Sequence, residues 1–392
     1  MVPSKTHRAT VLESPADDPA RLRRRGARGV TAALLAIGLL ATGCSSQFST
    51  TGTGLDLALH QRGLEPASVV VPYELTEPMV AWAHEVAPGD LGEDDKIQRL
   101  LEGLLDDGDI ELEYSWGHTG TAAEVFSDHR ANCLAFTNLF VGLAREVGVP
   151  VFFVAVETAT FRREGDFVVV SDHIAVGHRL HDEVRLYDFS SGEPQPLEDV
   201  RPISDLTAIA LFHSNRGAES LQQGDLRSAL DWLRRSVQLD DQLANAWLNL
   251  GVARRRIGDL DGAETAYRRA LEIDPRTYAA YQNLAGLLHL QGRSQEAREF
   301  EVALKRSASR NPYTYISLGD ISFRSGRLSE ARRFYRRAAI LTEDDAEPYA
   351  ALGQLAAASG DLPTARKMLR KARQRDTEHP RAAQLAALLD DG

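Results

Sequence analysis

The sequence predicts two folds in one chain: an α+β domain in which a cysteine-bearing helix packs on an antiparallel sheet, followed by an all-α solenoid. Glycine and alanine recur at a constant interval through the second half of the chain, whereas helix-like and strand-like segments mix before it. The 392 residues, 43% of them hydrophobic, are enough for two or three packed units. The net charge of −11 argues against nucleic acid as the main partner, since its binders concentrate positive charge.

The chain begins with the pattern of an export signal. Five arginines between positions 21 and 28 precede the uncharged run Val30–Leu40, which is too short to span a membrane. Small residues then lead to Cys44, and Ser, Gln, Thr and Gly follow it. We therefore expect residues 1–43 to be a signal peptide and residues 44–67 to form a polar tether.

The segment Ala41-Thr42-Gly43-Cys44 resembles the lipobox of bacterial lipoproteins. The resemblance implies that Cys44 is diacylated and becomes the mature N-terminus, so that the lipid holds the protein at a membrane. Ser45 follows the cysteine where an aspartate would favour the inner membrane. The implied location is the outer membrane, facing the periplasm. Ordinary secretion with cleavage nearby is the alternative.

Three residue series in the second half share one constant spacing. A period of about 34 residues that is kept over five units is typical of a solenoid, in which each unit packs only on its neighbours. Small residues in two of the series would let the paired helices approach closely. The series are Gly224, Gly258, Gly292, Gly326 and Gly360; Ala229, Ala263, Ala297, Ala331 and Ala365; and Gly217, Gly251, Ala285, Gly319 and Gly353.

The unit 244–276 predicts two helices separated by Gly258, with apolar faces around Trp247 and Tyr267. Its aromatic, Leu-Gly, Ala and Pro positions resemble the tetratricopeptide repeat, and the resemblance extends over about 210–380. We expect five repeats and a C-terminal capping helix in 207–392. The third unit departs from the pattern, because Glu301 stands where the second helix usually has an aromatic residue.

The repeat resemblance implies a concave groove that holds a protein or a peptide segment. The register of the family would place five side chains there. A spacer or a self-association surface is the alternative, because a fold does not fix a function. The implied groove residues are Arg255, Arg256, His289, Phe323 and Arg324.

The region 68–206 predicts the α+β domain. Residues 79–86 and 95–105 have helical apolar spacing, and three segments between 150 and 189 have strand character. Between these groups, Cys133 opens an apolar run that ends at Gly148, which predicts a mostly buried helix. A thiol in the first turn of a helix faces unpaired amides and the positive end of the dipole, which favours the thiolate. A small buried side chain at a helix start is the alternative.

The last two of those strands predict a hairpin that turns near Leu180 and His181. Pairing residues whose numbers sum to 361 would place His173 directly opposite Asp188. Opposed residues share one face of a sheet, so the carboxylate could orient the imidazole. Together with Cys133, they would form a relay in which the histidine takes the thiol proton.

The order and surroundings of these residues resemble the transglutaminase-like fold of the papain-like cysteine enzymes. The matching text is TAAEVF before Cys133, DHIAV around His173 and LYD ending at Asp188, although Ala131 replaces the usual glycine. The resemblance implies Cys133 as nucleophile, His173 as general base and Asp188 as its orienter. The backbone amide of Cys133 would stabilise the oxyanion, with a second donor from Asn132 or Trp116.

The resemblance implies attack of the Cys133 thiolate on an amide or ester carbonyl, followed by acyl transfer to water or to an amine. We favour a protease or amidase that acts on a protein or peptide held by the repeats. A non-catalytic envelope scaffold is the alternative. The sequence has no phosphate-binding glycine loop, CxxC pair or HExxH motif, so we predict neither a metal nor a cofactor.

Overall fold

The computed structural model describes residues 10–12, 53–105, 110–115, 118–164, 167–180, 183–188, 200–307, 312–342, 345–377 and 379–390. The chain divides into two compact units. The first comprises Met1–Arg162 and Val170–Ala246, and the second comprises Arg163–Val169 and Trp247–Gly392.

Helices and strands mix in the part of the chain that ends at Leu239, as the sequence predicts. The helices are α1 (Thr53–Gln61), α2 (Glu77–Val86), α3 (Glu93–Leu105), α4 (Ala122–Asp128), α5 (Cys133–Glu146), α6 (Asp205–Gln223) and α7 (Leu226–Leu239). The strands are β1 (Thr10–Leu12), β2 (Glu113–Tyr114), β3 (Arg130–Ala131), β4 (Val151–Glu164), β5 (Phe167–Leu180), β6 (Glu183–Asp188) and β7 (Val200–Pro202).

Five strands form one sheet in the order β1-β6-β5-β4-β7, with antiparallel pairing of β1 with β6, β5 with β6, and β4 with β7. Helix α5 packs on this sheet. Eleven of its fourteen residues are buried, and the Phe140 ring lies 6.2 Å from that of Tyr187 on β6. The predicted arrangement of a cysteine-bearing helix on an antiparallel sheet is confirmed.

The hairpin of β5 and β6 has a different register from the predicted one. Leu180 pairs with Glu183 and Val176 pairs with Tyr187, so paired residue numbers sum to 363 rather than 361. The closing pair is Leu180 with Glu183, which leaves two residues for the turn, the favoured length for a hairpin loop. The predicted direct opposition of His173 and Asp188 is therefore wrong by two residues along the strand.

The predicted tether of residues 44–67 includes a folded segment. Helix α1 lies within it, and Leu55, Leu59 and Leu64 are buried in one cluster with Ile209 of α6 and Leu239 of α7. The spacing of Leu55 and Leu59 puts both on one face of the helix. This apolar face is too short to be recognised in the sequence among its polar neighbours. It is buried because the first repeat covers it.

The first repeat, formed by α6 and α7, belongs to the first compact unit, which extends to Ala246. The guanidinium of Arg145 on α5 donates two hydrogen bonds to the buried Asp205 at 2.9 and 3.0 Å. Arg62 donates to the carbonyl of Leu239 at 2.6 Å. The first compact unit thus continues past residue 206, where the sequence predicts the domain boundary. Hydrogen bonds and an ion pair join residues on the two sides of this predicted boundary.

The remaining helix pairs belong to the second unit, apart from the first three residues of α8, which belong to the first. The helices are α8 (Ala244–Arg256), α9 (Leu260–Ile273), α10 (Tyr278–Leu290), α11 (Ser294–Ser307), α12 (Pro312–Arg324), α13 (Leu328–Leu341), α14 (Glu347–Ala358), α15 (Leu362–Arg373) and α16 (Pro380–Asp390). A Cβ added at Gly251 of α8 would lie 2.5 Å from the ring of Tyr267 of α9. The small residue at this crossing therefore has the packing reason that the sequence predicts.

Helix α16 follows the last pair, where a capping helix is predicted. Its Arg381 is 6% exposed and donates to Asp320 of α12 at 2.8 Å and to Glu347 of α14 at 2.6 Å. Asp320 also accepts a hydrogen bond from the hydroxyl of Tyr335 at 2.7 Å. A buried cation requires such partners, so this network fixes α16 on the last repeats.

Candidate active site

Cys133 is the first residue of α5 and is partly exposed, with a free thiol. The side-chain oxygen of Asn132 accepts a hydrogen bond from the Ala135 amide at 2.9 Å and caps the helix. The helix begins here because a capping residue precedes an apolar run. The thiol thus lies at the positive end of the helix dipole, as the sequence predicts.

Asn132 also has a structural role in this part of the domain. Its side-chain amide donates to the hydroxyl of Thr119 at 2.7 Å, and its backbone amide donates to the carbonyl of His118 at 3.3 Å. These bonds engage Asn132 in holding the loop before α4. It acts as a cap and a tie, and the other predicted oxyanion donor, Trp116, lies outside the described residues.

A short parallel ladder brings the loop at 118–120 to the start of α5. Strand β2 pairs with β3, and the amides of Glu113 and Ser115 each donate at 2.8 Å, to the carbonyls of His129 and Ala131 respectively. The chain from β3 leads directly into Asn132. The ladder therefore fixes the backbone that leads into Cys133.

Helix α6 of the first repeat holds the same loop. Glu219 accepts a hydrogen bond from the Thr119 amide at 2.8 Å, and Arg216 donates to the Thr119 carbonyl at 3.3 Å. Burial raises the pKa of Glu219, and the bond from Thr119 opposes that rise. A chain of contacts thus connects Glu219 through Thr119 and Asn132 to the helix that carries the thiol.

Sequence reasoning did not find Thr119, Arg216 or Glu219. No local signal marks these residues, since Glu219 lies in an ordinary repeat helix and Thr119 in a loop 100 residues earlier. The sequence signal that could have indicated such a partner is Asn132, just before Cys133. An asparagine that caps a helix with its side-chain oxygen still has an NH2 group that needs an acceptor.

His173 lies on β5 and Asp188 at the end of β6, and their side chains lie outside the part of the chain that the structure describes. The backbone beside His173 approaches α5. Thr137, one turn after Cys133 on the same helix face, donates to the carbonyl of Ile174 at 3.5 Å, a long hydrogen bond. Tyr187, just before Asp188, packs against Phe140 of the same helix.

Other histidines of this domain have separate positions. His178 is fully buried, with Nε2 3.0 Å from Glu93 of α3, and it joins that helix to the sheet. His118 Nε2 lies 3.7 Å from a carboxylate oxygen of Asp128. Among the described residues, no group of three or more His, Cys, Asp and Glu side chains could hold a metal ion.

The predicted groove residues divide into two sets. Arg255, His289 and Arg324 line one cavity of the second unit. Phe323 packs instead against the core around Tyr335, and Arg256 is partly buried on α8 outside that cavity lining.

Cys44 and the uncharged run Val30–Leu40 lie outside the described residues. Of the predicted signal peptide, residues 1–43, the structure describes Thr10–Leu12, which pairs with β6 as strand β1. Within the described ranges, no helix is both long enough and apolar enough to cross a bilayer.

Comparison with known families gives matches of two kinds. Residues 80–173 match the transglutaminase-like superfamily, a span that includes Cys133 and His173. Residues 244–276, 266–299 and 322–389 match tetratricopeptide repeats. The chain thus contains a transglutaminase-like domain and tetratricopeptide repeats. No curated protein matches the chain.

Three solved structures with similarity to the chain each cover less than half of it. A tetratricopeptide protein of Thermus thermophilus, TTC0263, is 20% identical over 46% of this chain and 98% of its own, with a TM-score of 0.40. PilF of Pseudomonas aeruginosa is 21% identical over 46% and 82%, with a TM-score of 0.35. MamA of Desulfovibrio magneticus is 19% identical over 44% and 97%, with a TM-score of 0.31.

Proposed function

We propose that the protein is an exported, lipid-anchored cysteine acyl-transfer enzyme, a protease or amidase acting on a protein or peptide held by its repeats. The observation that carries the proposal is the free, partly exposed thiol of Cys133 at the start of buried helix α5. It lies within the residues that match the transglutaminase-like superfamily.

In the proposed reaction, the Cys133 thiolate attacks the substrate carbonyl and forms a tetrahedral oxyanion. The backbone amide of Cys133 is one of the unpaired amides of a helix N-terminus and would donate to that oxygen. His173, as an imidazolium oriented by Asp188, would give its proton to the leaving amine, which leaves a thioester. A water molecule deprotonated by His173 would then hydrolyse the thioester and restore the thiol.

The Asn132 and Thr119 contacts support a preorganised thiol. Asn132 is 7% exposed and Thr119 is 1% exposed, so the cap is held in a fixed setting. A nucleophile gains rate when its position is fixed before the substrate arrives. Repeats of this kind bind other proteins, so they would hold the substrate or an envelope partner.

The test of catalysis is the reactivity of Cys133 in the folded protein. A Cys44→Ser background makes Cys133 the one remaining cysteine of the chain. We expect an iodoacetamide probe to label this native protein at neutral pH, and we expect His173→Ala to slow labelling by about tenfold or more, as removal of a general base does. Labelling is measured by intact mass across pH 5 to 9.

A Cys133→Ala variant in the same background is the control for probe specificity. Labelling of Cys133 only after denaturation would contradict the enzyme proposal. The scaffold alternative, in which the repeats alone function, would then be favoured.

A further inference from the structure

Helix α3 begins with two carboxylates that contact the hairpin of β5 and β6. Nε2 of His178 on β5 lies 3.0 Å from a carboxylate oxygen of Glu93, and because a carboxylate only accepts, the Nε2–H group donates. Asp94 accepts a hydrogen bond from the guanidinium of Arg185 on β6 at 3.1 Å, and its other oxygen lies 3.9 Å from His178 Nδ1. Two consecutive residues of one helix turn thus contact both strands of the hairpin.

His178 and Arg185 are paired directly across the hairpin. Opposed residues share one face of a sheet, so these two basic side chains lie side by side, an arrangement that is unfavourable when both are charged. The His178 side chain is also fully buried, and a buried polar group is costly without a hydrogen-bond partner. The carboxylates of Glu93 and Asp94 supply both the partner and the opposite charge.

The same helix is fixed to α5, which carries Cys133. Lys96 of α3 donates a hydrogen bond at 2.8 Å to the carbonyl of Val147, the residue that caps the end of α5. Ile97 and Leu100 of α3 are buried in one cluster with Leu139 of α5. Helix α3 therefore joins the helix of the thiol to the hairpin of β5 and β6.

Acidic residues in a first helix turn are favoured by the helix dipole, and this alone could account for Glu93, Asp94 and Asp95. The dipole does not require a histidine and an arginine on two neighbouring strands to face those acids. The contacts with His178 and Arg185 therefore point to a second role for the first two carboxylates.

We propose that Glu93 and Asp94 are positioning residues for the reaction proposed above, on which this inference rests. They hold the hairpin that carries His173 on β5 and Asp188 at the end of β6 in a fixed position relative to α5. A general base acts only within hydrogen-bond reach of the group whose proton it takes, and a displacement of about 1 Å can cost a large factor in rate. Neither carboxylate touches the reacting atoms in this proposal.

The test exchanges the charges of one contact in the full chain with the Cys44→Ser background. Asp94→Lys and Arg185→Asp each bring like charges together, whereas the double variant restores an oppositely charged pair. We expect each single variant to slow iodoacetamide labelling of Cys133 at pH 7 by about fivefold or more, and the double variant to recover most of the rate. At pH 9 the rates should differ little, because a thiol ionises there without help from a base.

Hydrogen–deuterium exchange of peptides from β5 and β6, followed by mass spectrometry, measures the hold on the hairpin itself. Exchange should be faster in both single variants and should return toward the wild-type rate in the double variant. Asp95→Asn is the matched control, since it removes a charge from an exposed position of the same helix turn, and it should change neither measurement. Circular dichroism confirms that each variant is folded.

Unchanged exchange in both single variants would overturn the proposal, and so would faster exchange with wild-type labelling at pH 7, which is the result of a purely structural contact. A double variant that labels no faster than the single variants would overturn it too. Failure of the proposed function gives a different result, namely no native labelling of Cys133 in the chain that keeps Asp94 and Arg185. That result would overturn the positioning role as well.

Discussion

His213 shows how strongly one residue's surroundings can be set by the fold. It lies on α6, is 2% exposed, and its ring centroid is 4.9 Å from that of Trp232. The Nε2–H group donates to the carbonyl of Val70 at 3.1 Å. Burial lowers the pKa of His213 to about 4 from the ordinary 6.5, so the neutral ring is part of the folded first unit.

The lowered pKa of His213 predicts acid sensitivity. The unfolded chain binds a proton at this histidine from about pH 6.5 downward, whereas the folded chain binds it only near pH 4. The neutral ring of His213 therefore contributes its full stabilisation above pH 6.5, and this stabilisation is lost as the pH falls. The loss between pH 7 and 4 should be about 3 kcal/mol for this group. His213→Gln keeps a donor and should remove that part of the pH dependence, as measured by urea unfolding at both pH values.

Lys96→Gln serves as the comparison for this measurement, because Lys96 donates a hydrogen bond to a backbone carbonyl in the same unit, as His213 does. An identical loss of stability in wild type and His213→Gln would contradict the assignment.

Glu301 and Asn132 show how much of a residue's role can be predicted from the sequence alone. The repeat period identifies Glu301 as a departure, and the order Asn132-Cys133 identifies a helix start. The partners of these residues, His289 and Arg327 for the one and Thr119 for the other, depend on which segments meet.

At the scale of elements, α6 has two packing partners. It pairs with α7 as the first helix of a repeat, and it holds the Thr119 loop through Glu219 and Arg216. The repeat spacing in the sequence predicts the pairing of α6 with α7. It cannot predict the contact with the Thr119 loop, because a repeat helix has the same apolar pattern whether or not its other face meets another domain.

We expect Glu219→Ala to destabilise the first unit by about 1–3 kcal/mol, because the Thr119 amide would lose its acceptor in a buried site. The same variant should slow native labelling of Cys133, since the loop that ties the Asn132 cap is loosened. Urea unfolding and the probe rate measure the two effects.

Glu219→Gln is the matched variant, because its amide oxygen can still accept from Thr119. Burial raises the pKa of Glu219 above its ordinary 4.5, so the charged form costs stability as pH rises above that value. The glutamine variant should therefore gain stability relative to wild type from pH 5 to 7. If the alanine and glutamine variants are equally stable, the proposed tie is contradicted.

At the scale of the whole molecule, the proposed lipid on Cys44 would determine where both units act. Helix α1 begins at Thr53, soon after Cys44, so the linker between a lipid and the folded domain would be short. The proposed enzyme would then act close to the membrane surface on segments that the repeats present.

Cys44→Ala should release the protein from the membrane fraction of the producing bacterium, because the chain would lose its acyl acceptor. Fractionation followed by immunodetection measures this, and Cys133→Ala is the control that should stay with the membrane. Unchanged membrane association of Cys44→Ala would contradict the proposed anchor.

The sequence by itself determined the repeats, the helix that begins at Cys133 and the sheet on which it packs. These depend on local quantities: a constant repeat period, a capping residue before an apolar run, and strand-like segments on either side of a short turn. Such signals are complete within a short stretch of chain, so they can be read before the chain is folded.

Only the tertiary structure decided the hairpin register, the burial of α1 and the incorporation of the first repeat into the first unit. A shift of two residues keeps every strand residue on its own face, so the apolar pattern cannot distinguish the two registers. The other features join residues far apart in the chain, as in the bond from Arg62 to Leu239. They depend on which surfaces meet, and that is settled by the shared burial of apolar area and the pairing of polar groups across the contact.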